Sequence, residues 1–307
     1  MISKFKEIVQ QKNSTLKVTE NVSMSKYTSF KAGGNAAYLV EVESTDQLKE
    51  VLQLVNQNNI PHMMLGNGSN TLFKDSGYEG VVIKLASGSF DKVSFEEKDG
   101  KYKVTAGTAI LLSSLARMIL EESLTGFEFA SGIPGSLGGA VFMNAGAYGG
   151  EMKDIVTSVK VVSPDGMEER IFTAEEMEFS YRHSALEENG YIAVEVTMEL
   201  EKGDKEAISA AMKELMQKRN SKQPVNYPSA GSTFKRPAGY FAGKLIEDAG
   251  LKGTSVGGAE VSTLHSGFVI NKGGATATDI LELIALVQNR VYDEFGVMLE
   301  PEVRIIG

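Results

Sequence analysis

SGIPGSLGGAVFMNAGAYGG, residues 131–150, is the most informative stretch of this chain. Its glycines and alanines remove side chains over a long segment, and Asn144 is an isolated side chain that can both donate and accept. Such a backbone would let a flat or elongated ligand lie directly against the main chain. The alternative is a buried crossover packed closely on a neighbouring element.

A second glycine segment, LGNGSN at 65–70, follows a predicted strand at 62–65. Its exposed main-chain N–H groups, with Ser69 and Asn70 as short donors, could wrap a diphosphate. Taken alone, an ordinary tight turn is the favoured interpretation. Two such segments together favour a nucleotide-type cofactor. Neither commonest nucleotide motif is present, since G-x-x-x-x-G-K-[ST] and a G-x-G-x-x-G after the first strand are both missing.

Composition restricts the possible functions. The chain has 307 residues, a net charge of −9 and no cysteine. The negative charge argues against a non-specific nucleic-acid binder, and the missing cysteine excludes disulfides and thiolate chemistry. The three histidines fit no helical metal spacing, so no metal site is predicted. No apolar run reaches the length of a membrane span and the N-terminus lacks a signal-peptide pattern, which together predict a cytoplasmic protein.

Strands and helices alternate along most of the chain. Hydrophobic periodicity predicts helices over about 1–14, 110–122, 204–219 and 279–295. A further helix is predicted to begin at Ser44 and to end before Pro61. Strands are predicted at 38–42, 62–65, 81–85, 92–96, 102–105, 158–163, 191–200 and 302–307. KGDK at 202–205 is the predicted domain boundary.

Three polar residues stand out in the second half. Arg182 in FSYRHS is suited to a planar carboxylate, although an ordinary surface arginine is the simpler interpretation. Ser232 in GSTFKRP is either a turn residue or functional, and no nucleophile elbow surrounds it. Glu302 opens an apolar strand, at its solvated end or in a functional role.

Together and in order, these segments resemble the UDP-N-acetylenolpyruvoylglucosamine reductases. The matching stretches run from Tyr27 to Gly307: YTSFKAGGNA, LGNGSN, SGIPGSLGGAVFMNAGAYGG, YRHS, AGSTFKRP, HSGFVIN and LEPEVRIIG. The chain lacks room for an extra tyrosine-bearing loop found in some members, and so it is similar to the shorter form of the family.

The resemblance implies an α+β fold with two functional regions. A vanillyl-alcohol-oxidase-type FAD-binding region would occupy 1–202, as two α/β lobes at 1–80 and 81–202. A smaller α/β substrate-binding domain would occupy 203–307.

The resemblance also implies the roles of individual residues. Arg182 falls on the carboxylate-polarising arginine, Ser232 on the proton donor and Glu302 on the catalytic glutamate. Tyr181 and Lys222 fall on substrate contacts, and Arg236 is a further candidate for the substrate diphosphate. The residues implied for FAD are Leu65, Gly66, Asn67, Gly68, Ser69, Asn70, Ser131, Ile133, Pro134, Gly135, Gly138, Gly139, Asn144 and Gly146.

The implied activity is reduction of the enolpyruvyl group of a UDP-sugar for peptidoglycan synthesis. Non-covalent FAD would carry the hydride and NADPH would supply it. A UDP-sugar is the expected partner, with no nucleic acid, no membrane and no obligate protein partner. The alternatives are another flavin oxidase or dehydrogenase of the same fold, or a non-catalytic UDP-sugar-binding module.

Overall fold

The computed structural model describes residues 4–307, and their contacts divide the chain into two units. The first unit contains the described residues up to Thr19, Leu39–Asn67 and Gly80–Lys218. The second contains Glu20–Tyr38, Gly68–Glu79 and Arg219–Gly307. The functional boundary near residue 203 therefore stays a prediction, because two N-terminal segments group with the C-terminal residues.

The described residues form helices and strands in mixed order. The helices are α1 Phe5–Lys12, α2 Thr45–Gln57, α3 Leu112–Glu121, α4 Leu137–Phe142, α5 Leu186–Asn189, α6 Lys205–Lys222, α7 Ala242–Asp248 and α8 Ala277–Phe295. The strands are β1 Lys17–Ser23, β2 Asn35–Val42, β3 His62–Met64, β4 Thr71–Phe73, β5 Tyr78–Leu85, β6 Val93–Lys98, β7 Lys101–Gly107, β8 Leu124–Thr125, β9 Gly146–Ala147, β10 Gly150–Glu151, β11 Val156–Val162, β12 Glu169–Thr173, β13 Ile192–Lys202, β14 Ser255–Val256, β15 Ala259–Val261, β16 Val269–Asn271 and β17 Arg304–Ile306.

A strand–helix–strand element precedes the first glycine segment. Ser44 caps α2 by accepting a hydrogen bond from the N–H of Gln47 at 3.2 Å, as the capping pattern predicts. The apolar stripe of α2 is buried, and β3 then pairs in parallel with β5. The chain leaves β3 at the sheet edge and enters LGNGSN directly, which fixes where that turn lies.

An antiparallel sheet ordered β12-β11-β13-β7-β6, with β8 also on β13, lies in the first unit. Helices α3 and α4 pack with it in one core, to which Leu115, Leu137 and Val196 contribute fully buried side chains. Segment 131–150 is not the continuous loop that its composition suggests, since it contains α4 and the β9–β10 pair. Leu137, Ala140 and Val141 are buried, so this short helix is stabilised by core packing.

Helix α8 forms part of the core of the second unit. Thr276 and Asp279 form a reciprocal capping box at its start, and Gly296 ends it in the left-handed conformation at φ 67°. Its buried stripe packs in a core with α7 and with the three-stranded sheet β14-β15-β16. Strand β17 pairs in parallel with β4.

The expected helices and strands are present, with boundaries shifted by a few residues. The helix predicted over 1–14 is α1, and residues 1–3 lie outside the described part of the chain. The α+β class is confirmed. Within residues 4–307, no helix combines the length and apolar character needed to cross a membrane.

Candidate active site

The two glycine segments meet in the first unit at the hydroxyl of Ser136. A Cβ placed on Gly66 would lie 3.0 Å from Ser136 Oγ, and one placed on Gly139 would lie 3.7 Å from the same atom. Gly139 is exposed, so its missing side chain leaves open main chain at the start of α4. LGNGSN and the 131–150 segment therefore present adjoining backbone, as a shared cofactor would require.

Other glycines of the second segment are explained by packing alone. A Cβ on Gly138 would come within 2.9 Å of Thr108 Cβ, and one on Gly146 within 2.7 Å of Glu151 Cγ. The close-packed alternative thus accounts for these two positions. Their predicted contact with FAD stays a prediction, and it would involve main-chain atoms.

The side-chain hydrogen-bonding atoms of Asn144 are occupied by protein partners. Asn144 is fully buried, and its Nδ2 donates to Ser180 O and to Glu151 Oε2, each at 2.9 Å. Its Oδ1 accepts from the N–H of Lys153 at 2.9 Å. The cofactor contact predicted for Asn144 stays a prediction, while its side chain serves to fasten neighbouring loops together.

The remaining predicted residues of segment 131–150 line its first turn. The Ser131 hydroxyl donates to Glu128 O at 2.7 Å, and Gly135 O accepts from the N–H of Leu112 at 3.0 Å. Ile133 is half-buried and Pro134 is exposed.

Lys84 is a residue that sequence reasoning missed. Its Nζ donates to the carbonyl of Gly66 at 3.1 Å. Burial lowers the pKa of the Lys84 ammonium, although the charge of Glu41 opposes that shift. The signal in the sequence was a single cation in the otherwise apolar run VVIKL at 81–85.

The second half of LGNGSN belongs to the second unit. Gly68 has φ 65°, and a side chain there would collide with the carbonyl oxygen of Tyr27, so only glycine fits. The first residues of LGNGSN remain in the first unit. Leu65 is buried there, and its N–H donates a hydrogen bond to Ile83 O at 2.9 Å. Asn67 is exposed, and Ser69 O accepts from Ser29 Oγ at 3.2 Å.

Asn70 joins this turn to the residue predicted to be the catalytic glutamate. Its Nδ2 donates to Glu302 O at 3.0 Å, and its carbonyl accepts from the N–H of Arg304 at 3.0 Å. Because Glu302 O can only accept, the amide orientation is fixed. Asn70 Oδ1 is buried and has no hydrogen-bond partner among the described residues.

Ser232 and Glu302 are brought together by an antiparallel bridge between Phe234 and Pro301. The N–H of Glu302 donates to Thr233 O, and the N–H of Lys235 donates to Glu300 O, both at 2.8 Å. Ser232 is exposed and precedes the buried Thr233.

Two cations follow Ser232 in the sequence, Lys235 and Arg236. The Lys235 ammonium pairs with the Glu300 carboxylate at 2.5 Å. The Arg236 guanidinium lies over the Phe241 ring at 4.0 Å from its centroid, and that ring is 61 % exposed.

Lys222 is the exposed last residue of α6.

Arg182 lies in the first unit on a tight turn between Ser180 and His183. Those two residues exchange main-chain hydrogen bonds at 3.2 and 3.3 Å. Arg182 has φ 55°, and its guanidinium lies over the exposed Tyr181 ring at 5.1 Å from the centroid.

These residues fit FAD in two respects. Gly66 and Gly139 present main chain beside Ser136, which suits close approach of a diphosphate or a flat ring. The buried Asn70 Oδ1 requires a donor, which a ribityl hydroxyl or a ring N–H of FAD can supply and a phosphate cannot.

Comparison with known proteins gives two family matches along the chain. Residues 36–171 match the family described as FAD binding domain, and residues 223–306 match the C-terminal domain of UDP-N-acetylenolpyruvoylglucosamine reductase. The fold and the site therefore define a flavin-binding protein.

Relatives give the particular family. UDP-N-acetylenolpyruvoylglucosamine reductase of Alkaliphilus oremlandii is 54 % identical over 92 % of this chain and 91 % of its own. That of Caldanaerobacter subterraneus is 49 % identical over 100 % of this chain and 98 % of its own. The crystal structure of the Thermus caldophilus reductase superposes with a TM-score of 0.80 at 38 % identity, covering 95 % of this chain and 100 % of that one. The chain belongs to the UDP-N-acetylenolpyruvoylglucosamine reductase family.

Proposed function

We propose that this protein reduces the enolpyruvyl group of UDP-N-acetylenolpyruvoylglucosamine to give UDP-N-acetylmuramate, with FAD as carrier and NADPH as hydride donor. Family membership supports the reaction. The single structural observation that carries it is the hydrogen-bonded bridge that joins the Ser232 and Glu302 segments, with Asn70 of the glycine turn bound to Glu302.

In this proposal FAD lies against the residues predicted for it from the sequence. Gly66 and Gly139 of the first unit offer open main chain against which the cofactor would lie. The partly buried Lys84 adds positive charge beside Gly66, which favours a bound diphosphate. Bound FAD, once reduced by NADPH, supplies the hydride for the carbon–carbon double bond.

The protein's own residues must make that double bond reactive. An enol ether is electron-rich, so a hydride adds to it only if electrons are drawn into the attached carboxylate. The planar fork of Arg182 binds that carboxylate and opposes its negative charge. Glu302 acts on the same group by hydrogen bonding in its protonated form. These interactions stabilise the charge that develops as the hydride adds.

Ser232 then completes the reduction by giving a proton to the carbon next to the carboxylate. Its hydroxyl is exposed and its backbone is held by the bridge to Pro301 and Glu302. Tyr181 and Lys222 contact the substrate, and Arg236 contacts its diphosphate.

We assign FAD binding to residues 1–202 and substrate binding to 203–307. The charge of −9 fits a small-molecule enzyme without nucleic-acid partners. The UDP-sugar is the partner, and the cytoplasm is the compartment where NADPH and nucleotide sugars meet.

Purified protein tests the proposal directly. The preparation should be yellow, NADPH should bleach it, and enolpyruvyl-UDP-N-acetylglucosamine should restore the colour under anaerobic conditions. A colourless protein that binds the UDP-sugar would support the binding-module alternative. Rapid reoxidation by oxygen and none by the enolpyruvyl sugar would identify a flavin oxidase instead.

A further inference from the structure

The backbone of Arg182 is strained. A residue with a long side chain at φ 55° costs about 1–2 kcal/mol relative to ordinary backbone. The position ends a two-residue turn, where glycine would avoid this cost. Surrounding contacts must therefore hold the turn in place.

Both flanks of the turn are hydrogen-bonded to the same short segment at the end of α4. Ser180 O accepts from Asn144 Nδ2 at 2.9 Å, and Ser184 Oγ donates to Phe142 O at 2.6 Å. Asn144 and Ser184 are each fully buried. The turn that bears Arg182 is thereby tied on each side to residues 142–144.

Asn144 is itself held by Glu151. The Nδ2 group of Asn144 is shared between Ser180 O and Glu151 Oε2, while its Oδ1 accepts from the N–H of Lys153. The Glu151 carboxylate also pairs with the Lys153 ammonium at 2.9 Å. Since each polar atom of the Asn144 amide has a partner of matching sense, the amide can take only one orientation.

The Glu151 carboxylate is charged in this environment. The hydrogen bond from Lys153 lowers the pKa of Glu151, and the Asn144 amide and the positive charge of Arg182 lower it further against the effect of burial. A negative charge therefore lies within electrostatic reach of the guanidinium.

We propose that Glu151 and Asn144 are positioning residues for Arg182: Glu151 orients Asn144 and attracts the guanidinium, and Asn144 holds the strained turn through Ser180. The inference rests on the proposed role of Arg182 at the substrate carboxylate. It assigns to Glu151 a function in the reaction that requires no contact with cofactor or substrate.

Glu151→Gln tests this, because it keeps an acceptor for Asn144 and removes the charge. Reduction of the flavin by NADPH should stay within about twofold of wild type, while reoxidation by the enolpyruvyl sugar should slow about 10- to 100-fold through misplacement of Arg182. The value of kcat should fall by more than KM for the sugar rises, since loss of the negative charge of Glu151 offsets part of the binding that a misplaced Arg182 loses.

Ser184→Ala is the second variant, because it loosens the other flank without changing charge. It should show the same selective loss of the reoxidation step. Glu187→Gln is the matched control, since Glu187 faces His183 of the same turn at 3.5 Å but has no contact with Asn144. It should match wild type in both half-reactions.

Wild-type reoxidation in Glu151→Gln, or equal slowing of both half-reactions with loss of FAD, would overturn the positioning role. A wild-type protein that the enolpyruvyl sugar fails to reoxidise would instead overturn the proposed function. The two failures are therefore distinguishable in one stopped-flow series.

Discussion

The main-chain N–H of Glu302 donates a hydrogen bond to the carbonyl of Thr233 at 2.8 Å. Thr233 is fully buried, its own N–H donates to Gly267 O at 2.8 Å, and its hydroxyl accepts from the N–H of Val269 at 2.9 Å. The Thr233 carbonyl is therefore held in place by the hydrogen bonds that Thr233 makes with Gly267 and Val269. Because Ser232 directly precedes Thr233, the proposed proton donor and the proposed catalytic glutamate lie on two backbone segments that are hydrogen-bonded to each other.

Ser232→Ala should separate the two half-reactions. Reduction of the flavin by NADPH needs no proton delivered to the sugar, so we expect its rate to match wild type. Reoxidation by the enolpyruvyl sugar should fall by more than the roughly 10²–10⁴-fold typical of a positioned acid, since no second donor is assigned. Anaerobic stopped-flow absorbance measures both rates on one preparation.

Ser255→Ala serves as the control for Ser232→Ala, because Ser255 lies on β14 and its hydroxyl donates to the nearby Gly253 carbonyl. Equal slowing of both half-reactions in Ser232→Ala would mean that Ser232 is structural.

The sequence predicts best the features that depend only on residues close together in the chain. The cap at Ser44, the stop at Gly296 and the buried stripe of α8 follow from neighbouring residues, and the structure confirms each. Helix α4 was missed because its glycines have low helix propensity and only core packing stabilises it.

Long-range partners could not be deduced from local sequence. The pairing of Asn70 with Glu302 spans 232 positions, and the contact of Asn144 with Ser180 spans 36. The resemblance implies a cofactor contact for both asparagines, and that contact stays a prediction. The neighbouring residues do not indicate which protein carbonyl each amide meets. Nothing local distinguished the packed Gly138 from the open Gly139 either.

Gly138→Ala and Gly139→Ala should differ although the two residues are adjacent on α4. The added methyl on Gly138 meets Thr108 Cβ at 2.9 Å, so we expect overpacking to cost about 1–3 kcal/mol of unfolding free energy. The methyl on Gly139 has 3.7 Å of space, so that variant should unfold like wild type and bind FAD more weakly. Urea unfolding of the apoprotein and flavin fluorescence titration measure the two effects. Equal stability of both variants would contradict this division.

Asp75 should stabilise the second unit in a pH-dependent manner. Its carboxylate accepts from the N–H groups of Ala277 and Thr278, at 2.9 and 2.7 Å, at the start of α8. Burial raises the pKa of Asp75, but hydrogen bonds from the Thr278 hydroxyl and these N–H groups outweigh it, leaving the pKa below 3.8. Asp75→Asn should cost about 0.5–1 kcal/mol at pH 7, a value kept small because the side chain is exposed to screening solvent.

The pH dependence has a definite sign. A carboxyl group with a lowered folded-state pKa contributes its full stability above the unfolded-state pKa and loses it as pH falls through the folded value. The difference in free energy of unfolding between wild type and Asp75→Asn should therefore become smaller below about pH 3.8. Asp293→Asn, near the other end of α8, is the control that removes a carboxylate from the same helix. Urea midpoints measured from pH 7 to pH 3 provide the check, and a constant difference would exclude the charged carboxylate as its cause.

FAD should be bound without a covalent link. The chain has no cysteine, and His62 is its only histidine before residue 183. His62 Nδ1 lies 3.1 Å from Ile60 O, so that ring nitrogen already has a protein partner. Acid precipitation should release all of the yellow colour into the supernatant. Colour retained in the pellet of wild type and absent from that of His62→Ala would show attachment at His62.

Arg182 and Glu302 should act together on the substrate carboxylate, and three substitutions separate their contributions. Arg182→Lys keeps the charge but loses the planar fork, so it should slow reoxidation by the enolpyruvyl sugar despite its conservative chemistry. Glu302→Gln keeps a hydrogen-bond donor but cannot exchange a proton. If Glu302 serves as a neutral donor, Glu302→Gln should retain far more activity than Glu302→Ala. If Glu302 must transfer a proton, the two variants should be equally slow.

The hydrogen bonds that join Glu302 to Thr233 and Asn70 use main-chain atoms of residue 302. Both Glu302 variants should therefore keep the local fold, so that their rates report the chemistry of the side chain. Stopped-flow reoxidation of the reduced enzyme gives each rate, and wild-type rates in both Arg182→Lys and Glu302→Ala would remove the pair from the mechanism.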